Sequence, residues 1–301
     1  MNPERVLQWA DWVQQALWQP APFTRAPWAA VLGLLLGLLV LVAGTLVLAV
    51  PWARRWWTDQ TPRPNEDERG VSTVEMTLIE HLLELRTRLL WSLAALVLAT
   101  VVAFVFYQVW MDVALWPIRG HDLQAITPTE KVFAYFKVTL VVGLIVAMPV
   151  IAYQLWAYIA PGLTRQERRY VIAVVPGATL SFIIGMAFAY FALMPAALGF
   201  LLGFGAPDIK VVPTIASYIS FTTRLLVAIG LVFQLPIVLF FLAKVHLINP
   251  KMLGSIRRYV IVVAFIVAAV ATPTPDPFNQ LLVAIPILVL YEVGALLARL
   301  A

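Results

Sequence analysis

Residues 216–243 read ASYISFTTRLLVAIGLVFQLPIVLFFLA, and one charged residue, Arg224, interrupts them. As a helix rising 1.5 Å per residue this stretch is about 42 Å long. A hydrocarbon core of about 30 Å takes roughly 20 apolar residues, so the stretch is a membrane span. Working outward, further apolar runs lie at 28–53, 89–108, 133–158, 171–194, 259–271 and 278–297. The whole chain has 301 residues, 62% of them hydrophobic and 12% charged, with a mean hydropathy of +0.88. A soluble domain carries about 25% charged residues. The solvent of this chain is therefore mostly lipid, and the runs leave no room for a separate soluble domain. The reading is an all-α integral membrane protein with about seven spans.

Two of the runs are atypical. Residues 259–271 (YVIVVAFIVAAVA) cover only about 20 Å, and 278–297 contains Asn279, Gln280 and Glu292. TPTPDP at 272–277 is a turn signal, so the pair reads as a short helical hairpin. Spans this short thin the bilayer locally or lean on protein neighbours.

Basic residues sit between the runs and alternate in density. Arg54, Arg55, Arg63, Arg69, Arg86 and Arg88 precede or open the second run. Arg165, Arg168 and Arg169 lie between the third and fourth, and Lys244, Lys251, Arg257 and Arg258 between the fifth and sixth, with Arg299 after the last. The intervening loops hold only Arg119 and Lys131, then Lys210. The positive-inside rule then puts the N-terminus outside and the C-terminus in the cytoplasm. The net charge of +5 is thus a topology signal and not a nucleic-acid footprint. The chain has no cysteine, which removes disulfides and thiolate chemistry. His81, His121 and His246 are far apart, and no metal-ligand spacing, phosphate loop or nucleophile elbow occurs. No cofactor, metal or catalytic cluster is expected, so the chain does not read as an enzyme.

The domain reading has four parts. Val6, Trp9, Val13 and Leu17 recur at helical spacing, so 4–18 reads as an amphipathic interfacial helix within an amphipathic N-terminal segment, 1–27. Residues 28–53 are an extra anchor, with Gly33, Gly37 and Gly44 on a face suited to close helix packing or simply common in such runs. Residues 54–75 are a polar linker, and 76–301 form a six-span domain.

Three stretches carry more than hydropathy: MTLIEHLLELRTRLL at 76–90, YQLWAYIAPGLTRQERRYV at 153–171, and GLVFQLPIVLFFLAK at 230–244 with RRYVIVVAFIVAAVATPTPDPFNQLLVAIPILVLYE at 257–292. Together they closely resemble TatC, the multispanning receptor subunit of the twin-arginine protein translocase. The resemblance covers residues 76–299. It implies six spans with both ends cytoplasmic, in the bacterial cytoplasmic (inner) membrane. An added N-terminal span with its start outside preserves that orientation.

The resemblance further implies that the cytoplasmic face binds twin-arginine signal peptides of folded cargo, through Glu84 of the ELR string and Glu167 of the ERR string. Arg86 and Arg88 either orient these carboxylates or anchor the helix end. It implies small single-span partners of the TatA and TatB type in an oligomeric complex, with export driven by the proton gradient. Gln234 stands where the family often has glutamate or glutamine, in contact with a polar group of such a partner; the amide removes a charge and with it a proton-linked role. Asp276 and Gln280 matter for transport in the family. Pro117, Tyr158 and Pro161 match family positions that set loop or helix-end geometry.

Local physics offers plainer readings of the same residues. Two guanidinium groups suit carboxylates in planar, bidentate geometry, which lysine does not reproduce. Yet Thr164 and Glu167 also spell a capping box, as do Thr77 and Glu80, and Glu84 lies four residues before Arg88 at ion-pair spacing. Gln234 has a within-chain hydrogen bond as its alternative. Asp276-Pro277 reads as an N-cap followed by a first-turn proline. Arg224 and Lys137 either snorkel or pair with an acid, and Pro149, Pro236 and Pro286 are candidate helix bends. The alternative function is a secondary transporter or channel for a small solute, supported by Arg224 and Gln234. The absence of an internal repeat weighs against it.

Overall fold

A computed structural model describes residues 78–159, 165–204, 211–272 and 276–300. The amphipathic segment, the extra anchor at 28–53 and the linker all lie outside these residues, as do Thr77 and Thr164, the capping residues of both proposed capping boxes. The elements are α1 (Leu78–Val105), α2 (Tyr107–Ala114), α3 (Pro128–Ile159), α4 (Arg165–Phe188), α5 (Met194–Gly203), α6 (Ile215–Val232), α7 (Leu235–Lys244), α8 (Pro250–Ala271) and α9 (Pro277–Leu300). A π-helical turn, Ala189–Leu193, joins α4 to α5. Among the described residues the β-type pairing is one isolated bridge, Gln124 to Thr214.

Six segments are long and apolar enough to cross a membrane: His81–Val105, Pro128–Ile159, Val174–Gly203, Ile215–Lys244, Met252–Ala271 and Pro277–Leu300. All six runs read between 89 and 297 are present. The fifth differs in extent, because its helix begins at Pro250 and not at Tyr259. The added turns carry Lys251, Arg257 and Arg258, whose charges hid them from hydropathy. With them Met252–Ala271 has 20 residues, the length of a crossing.

The prolines act differently from one another. α3 and α9 continue through Pro149 and Pro286. At Pro236 the helix is interrupted, with α6 ending at Val232 and α7 starting at Leu235. Proline lacks the N–H that the preceding turn needs, and in lipid the freed carbonyls must find other donors. The Ser181 hydroxyl of α4 donates to the Phe233 carbonyl at 2.6 Å. Past Lys244, His246 adopts φ 56°. Its N–H bonds the Ala243 carbonyl and the Leu247 N–H bonds the Leu242 carbonyl, the pairing of a Schellman C-cap with histidine in place of glycine.

The chain divides into two units. In described residues the larger comprises 102–142 and 180–300, and the smaller 78–101 and 143–179. The core of the larger unit gathers Ile118, Met194, Ile219, Leu225, Ile229 and Val283. Two tyrosines tie α2 to it: Tyr190 Oη donates to the Val113 carbonyl at 2.5 Å and Tyr218 Oη to the Ala114 carbonyl at 2.6 Å. The last carbonyls of a helix lack intrahelical donors, so these phenols complete α2. In the smaller unit α1 and α3 meet closely at Gly143, where a Cβ would stand 2.8 Å from the Thr100 Cα. Small residues let helix backbones approach where lipid supplies no hydrophobic drive. Leu89, Leu93, Val97 and Leu98 of α1 are exposed, as suits a helix solvated by acyl chains.

Candidate functional site

α1 begins with His81, Glu84 and Arg88 at spacings of three and four, which puts them on one helix face. Arg88 Nε donates to Glu84 Oε1 at 2.9 Å, and Nη2 donates to the same oxygen at 2.5 Å. Arg88 Nη1 reaches Gln154 Oε1 of α3 at 3.4 Å. One turn further along α3, Tyr158 stacks on His81 with ring centroids 4.5 Å apart and planes at 22°. The side chains of Arg88 and Glu84 retain 11% and 19% of their exposure. Glu84 Oε2 is buried and has no hydrogen-bond partner among the described residues. A carboxylate has about four acceptor positions, so this oxygen is an unused acceptor beside a fixed guanidinium.

The structure brings Arg88, and not Arg86, to Glu84. Arg86 is exposed, and residues two apart on a helix do not face each other. Gln154, buried at 6%, is a member of this cluster that sequence reading missed. Its signal was an amide inside the uncharged stretch 138–158. Glu167 is the third residue of α4, and its side chain lies outside the described residues. Glu84, Arg86, Arg88, Tyr158 and Glu167 all belong to the smaller unit.

The other expected site residues belong to the larger unit. Gln234 sits half-buried at the α6–α7 break. Pro117 lies in a 3-10 turn, Trp116–Ile118. Asp276 caps α9: its Oδ1 accepts from the Asn279 N–H at 2.7 Å and its Oδ2 from Asn279 Nδ2 at 3.0 Å. Gln280 Nε2 donates across the α8–α9 hairpin to the Phe265 carbonyl at 3.2 Å. The intramembrane Glu292 has a partner in Arg257, at 2.7 Å, with both side chains 49% exposed. Sequence reading had counted Arg257 only as a topology charge.

Residues 80–286 match the family model described as "Sec-independent protein translocase protein (TatC)". The chain is 42% identical over 232 residues to the Sec-independent protein translocase protein TatC of Aquifex aeolicus, covering 75% of this chain and 96% of that one. This chain belongs to the TatC family. It is likewise 38% identical over 227 residues to TatC of Escherichia coli K12, across 74% of this chain and 88% of the relative. A crystal structure of the twin-arginine translocase receptor TatC superposes with a TM-score of 0.66 at 40% identity, covering 73% of this chain and 99% of that one. A second, in DDM, gives 0.68 at 41% identity. This TatC-family chain is therefore a multi-pass membrane component of a protein translocase, and it is not an enzyme.

Proposed function

We propose that this chain is the signal-peptide receptor of a twin-arginine translocase, in which Glu84 and Glu167 bind the paired arginines of signal peptides on folded cargo. The observation that carries the reading is the unused, buried Oε2 of Glu84 beside Arg88 and Gln154. Arg88 holds the carboxylate through one oxygen and leaves the other for an incoming guanidinium. At an effective dielectric near 20, one such pair at about 4 Å gives roughly 4 kcal/mol before desolvation and ordering. Lysine, a point donor, does not match the fork geometry. The two solved relatives are twin-arginine translocase receptors, which supports the same role here.

By this reading the Glu84 cluster lies on the cytoplasmic face of the bacterial inner membrane, with the C-terminus in the cytoplasm and the N-terminus outside, since basic residues dominate the loops on that side. Small single-span subunits of the TatA and TatB type assemble on the larger unit, along the polar positions Gln234, Asp276 and Gln280. The decisive test is pull-down of the detergent-solubilised chain with a twin-arginine signal peptide and its twin-lysine version. Strong preference for arginine, lost in Glu84→Ala and Glu167→Ala, is expected. Equal capture of both peptides, or capture indifferent to both substitutions, overturns the proposal.

A further inference from the structure

Lys137 of α3 and Arg224 of α6 play no part in the receptor reading, yet they converge on one residue. Lys137 Nζ donates to Ser220 Oγ at 2.6 Å, and Arg224 Nε donates to the Ser220 carbonyl at 3.0 Å. Both side chains are exposed. Among the described residues neither belongs to an ion pair, and the Nη groups of Arg224 make no hydrogen bond.

Their depth follows from the charge pattern. No charged residue occurs from Val138 to Ile159, or from Leu225 to Ala243. Each stretch is close to the roughly 20 residues that cross a hydrocarbon core. Lys137 and Arg224 therefore stand at the edge of the hydrocarbon, and the nine residues before each, 128–136 and 215–223, rise about 13 Å beyond it. The two helix starts are held in register by the Gln124–Thr214 bridge, with Gln124 N–H bonded to the Pro213 carbonyl at 3.2 Å and Ile215 N–H to the Gln124 carbonyl at 2.9 Å. The two cations thus share one level, that of the lipid headgroups. The nearby acid on α3, Glu130, is about 10 Å up the helix, and its Oε1 accepts from the Thr127 N–H.

We propose that Lys137 and Arg224 together bind the phosphate of one anionic phospholipid in the leaflet at this end of the bundle. The ammonium supplies a point charge and the guanidinium supplies its free fork, the donor set that phosphate oxygens take up. Exposed Leu140 lies one turn below Lys137 on α3, on the acyl side, and exposed Leu231 lies two turns below Arg224 on α6. They form an apolar strip on either side for the acyl chains. Two adjacent cations with no protein carboxylate favour a net-negative headgroup over a zwitterionic one. The proposal stands apart from the signal-peptide reading, since all its residues lie in the larger unit.

The test is native mass spectrometry of the full chain in detergent, titrated with phosphatidylglycerol or phosphatidylcholine. Wild type is expected to hold one more phosphatidylglycerol than K137Q/R224Q, with about tenfold weaker retention in the variant and no change for phosphatidylcholine. A soluble glycerol phosphate at millimolar concentration is expected not to displace the lipid. Displacement by it, equal phosphatidylglycerol retention by both proteins, or equal loss of both lipids overturns the proposal. Should the double variant not fold, photo-crosslinking of wild type with diazirine-bearing phosphatidylglycerol decides. Adducts within 133–140 and 220–231 are expected, and their absence from both segments overturns it.

Discussion

Arg88 grips Glu84 by one oxygen: both Nε and Nη2 donate to Oε1, and Oε2 has no donor among the described residues. The pair is mostly buried, so removing one partner strands the other. Arg88→Ala is expected to cost about 1–3 kcal/mol of stability, the scale for a buried polar group left unpaired. It is also expected to weaken signal-peptide binding, because the carboxylate loses its orientation. Arg88→Lys restores the charge without the two-point grip, so it should recover stability more than binding. Thermal unfolding in detergent together with peptide titration checks this; recovery of both to the same degree contradicts the orienting role.

Two glycines in the described helices should respond in opposite ways to alanine. At Gly143 a Cβ would stand 2.8 Å from backbone atoms of Thr100, whereas at Gly254 nothing lies within 4 Å. Backbone cannot rotate aside as a side chain can. Gly143→Ala is therefore expected to destabilise by about 1–3 kcal/mol, as overpacking does. Gly254→Ala, in the second turn of α8 and open, is expected to stabilise by up to about 1 kcal/mol. Unfolding midpoints of the two variants, measured side by side, read the difference directly.

How much of this was legible in the sequence depended on whether the cause was local. Most of the spans between 89 and 297 were, because about 20 uncharged residues in a row leave few alternatives. The Asp276 cap and the Glu84–Arg88 pair were as well, since both are fixed by spacings of three and four on one helix. The true start of α8 was not, because Lys251, Arg257 and Arg258 break the apolar run while the backbone continues as helix. Gln154 beside Arg88, Glu292 with Arg257, and Ser181 against the broken turn at Phe233 were not either. Each joins residues far apart in sequence, and only packing of helices decides which polar side chains meet. A polar residue inside a span announces that it has a partner but does not name it. The Thr127–Glu130 capping interaction is local, yet the sequence reading did not name it, although TPTE at 127–130 spells it.

Tyr190 and Tyr218 donate to adjacent carbonyls, Val113 and Ala114, at the end of α2. Each phenylalanine substitution should cost about 1 kcal/mol, the usual net worth of one hydrogen bond. The double variant leaves both carbonyls without these donors, and among the described residues the short helix α2 is held by little else that is polar. Amide exchange across 107–118 is expected to quicken slightly in each single variant and markedly in Tyr190→Phe/Tyr218→Phe. Exchange in 81–101 should stay unchanged. Unaltered protection of 107–118 in the double variant contradicts the anchoring role.

Asp276 combines a cap with a position that the family resemblance links to transport, and the two can be separated by chemistry. Oδ1 accepts from the Asn279 N–H and Oδ2 from the Asn279 amide. Asn279 is itself buried at 1%, and its Oδ1 has no partner among the described residues. Asp276→Ala removes the cap and leaves the buried amide short of an acceptor, so it is expected to cost about 1–2 kcal/mol. Asp276→Asn retains one acceptor oxygen for the N–H and should restore most of the cap while losing the charge. Asp276→Ser is a second capping residue of different shape. If capping is all that Asp276 does, export of a twin-arginine reporter protein must track helix stability across the three variants. If the carboxylate itself meets a partner subunit, Asp276→Asn must fold like wild type and still fail in export. Aspartate and asparagine cap about equally well, so folding should not separate them, and the proposed partner contact at Asp276 predicts the second outcome.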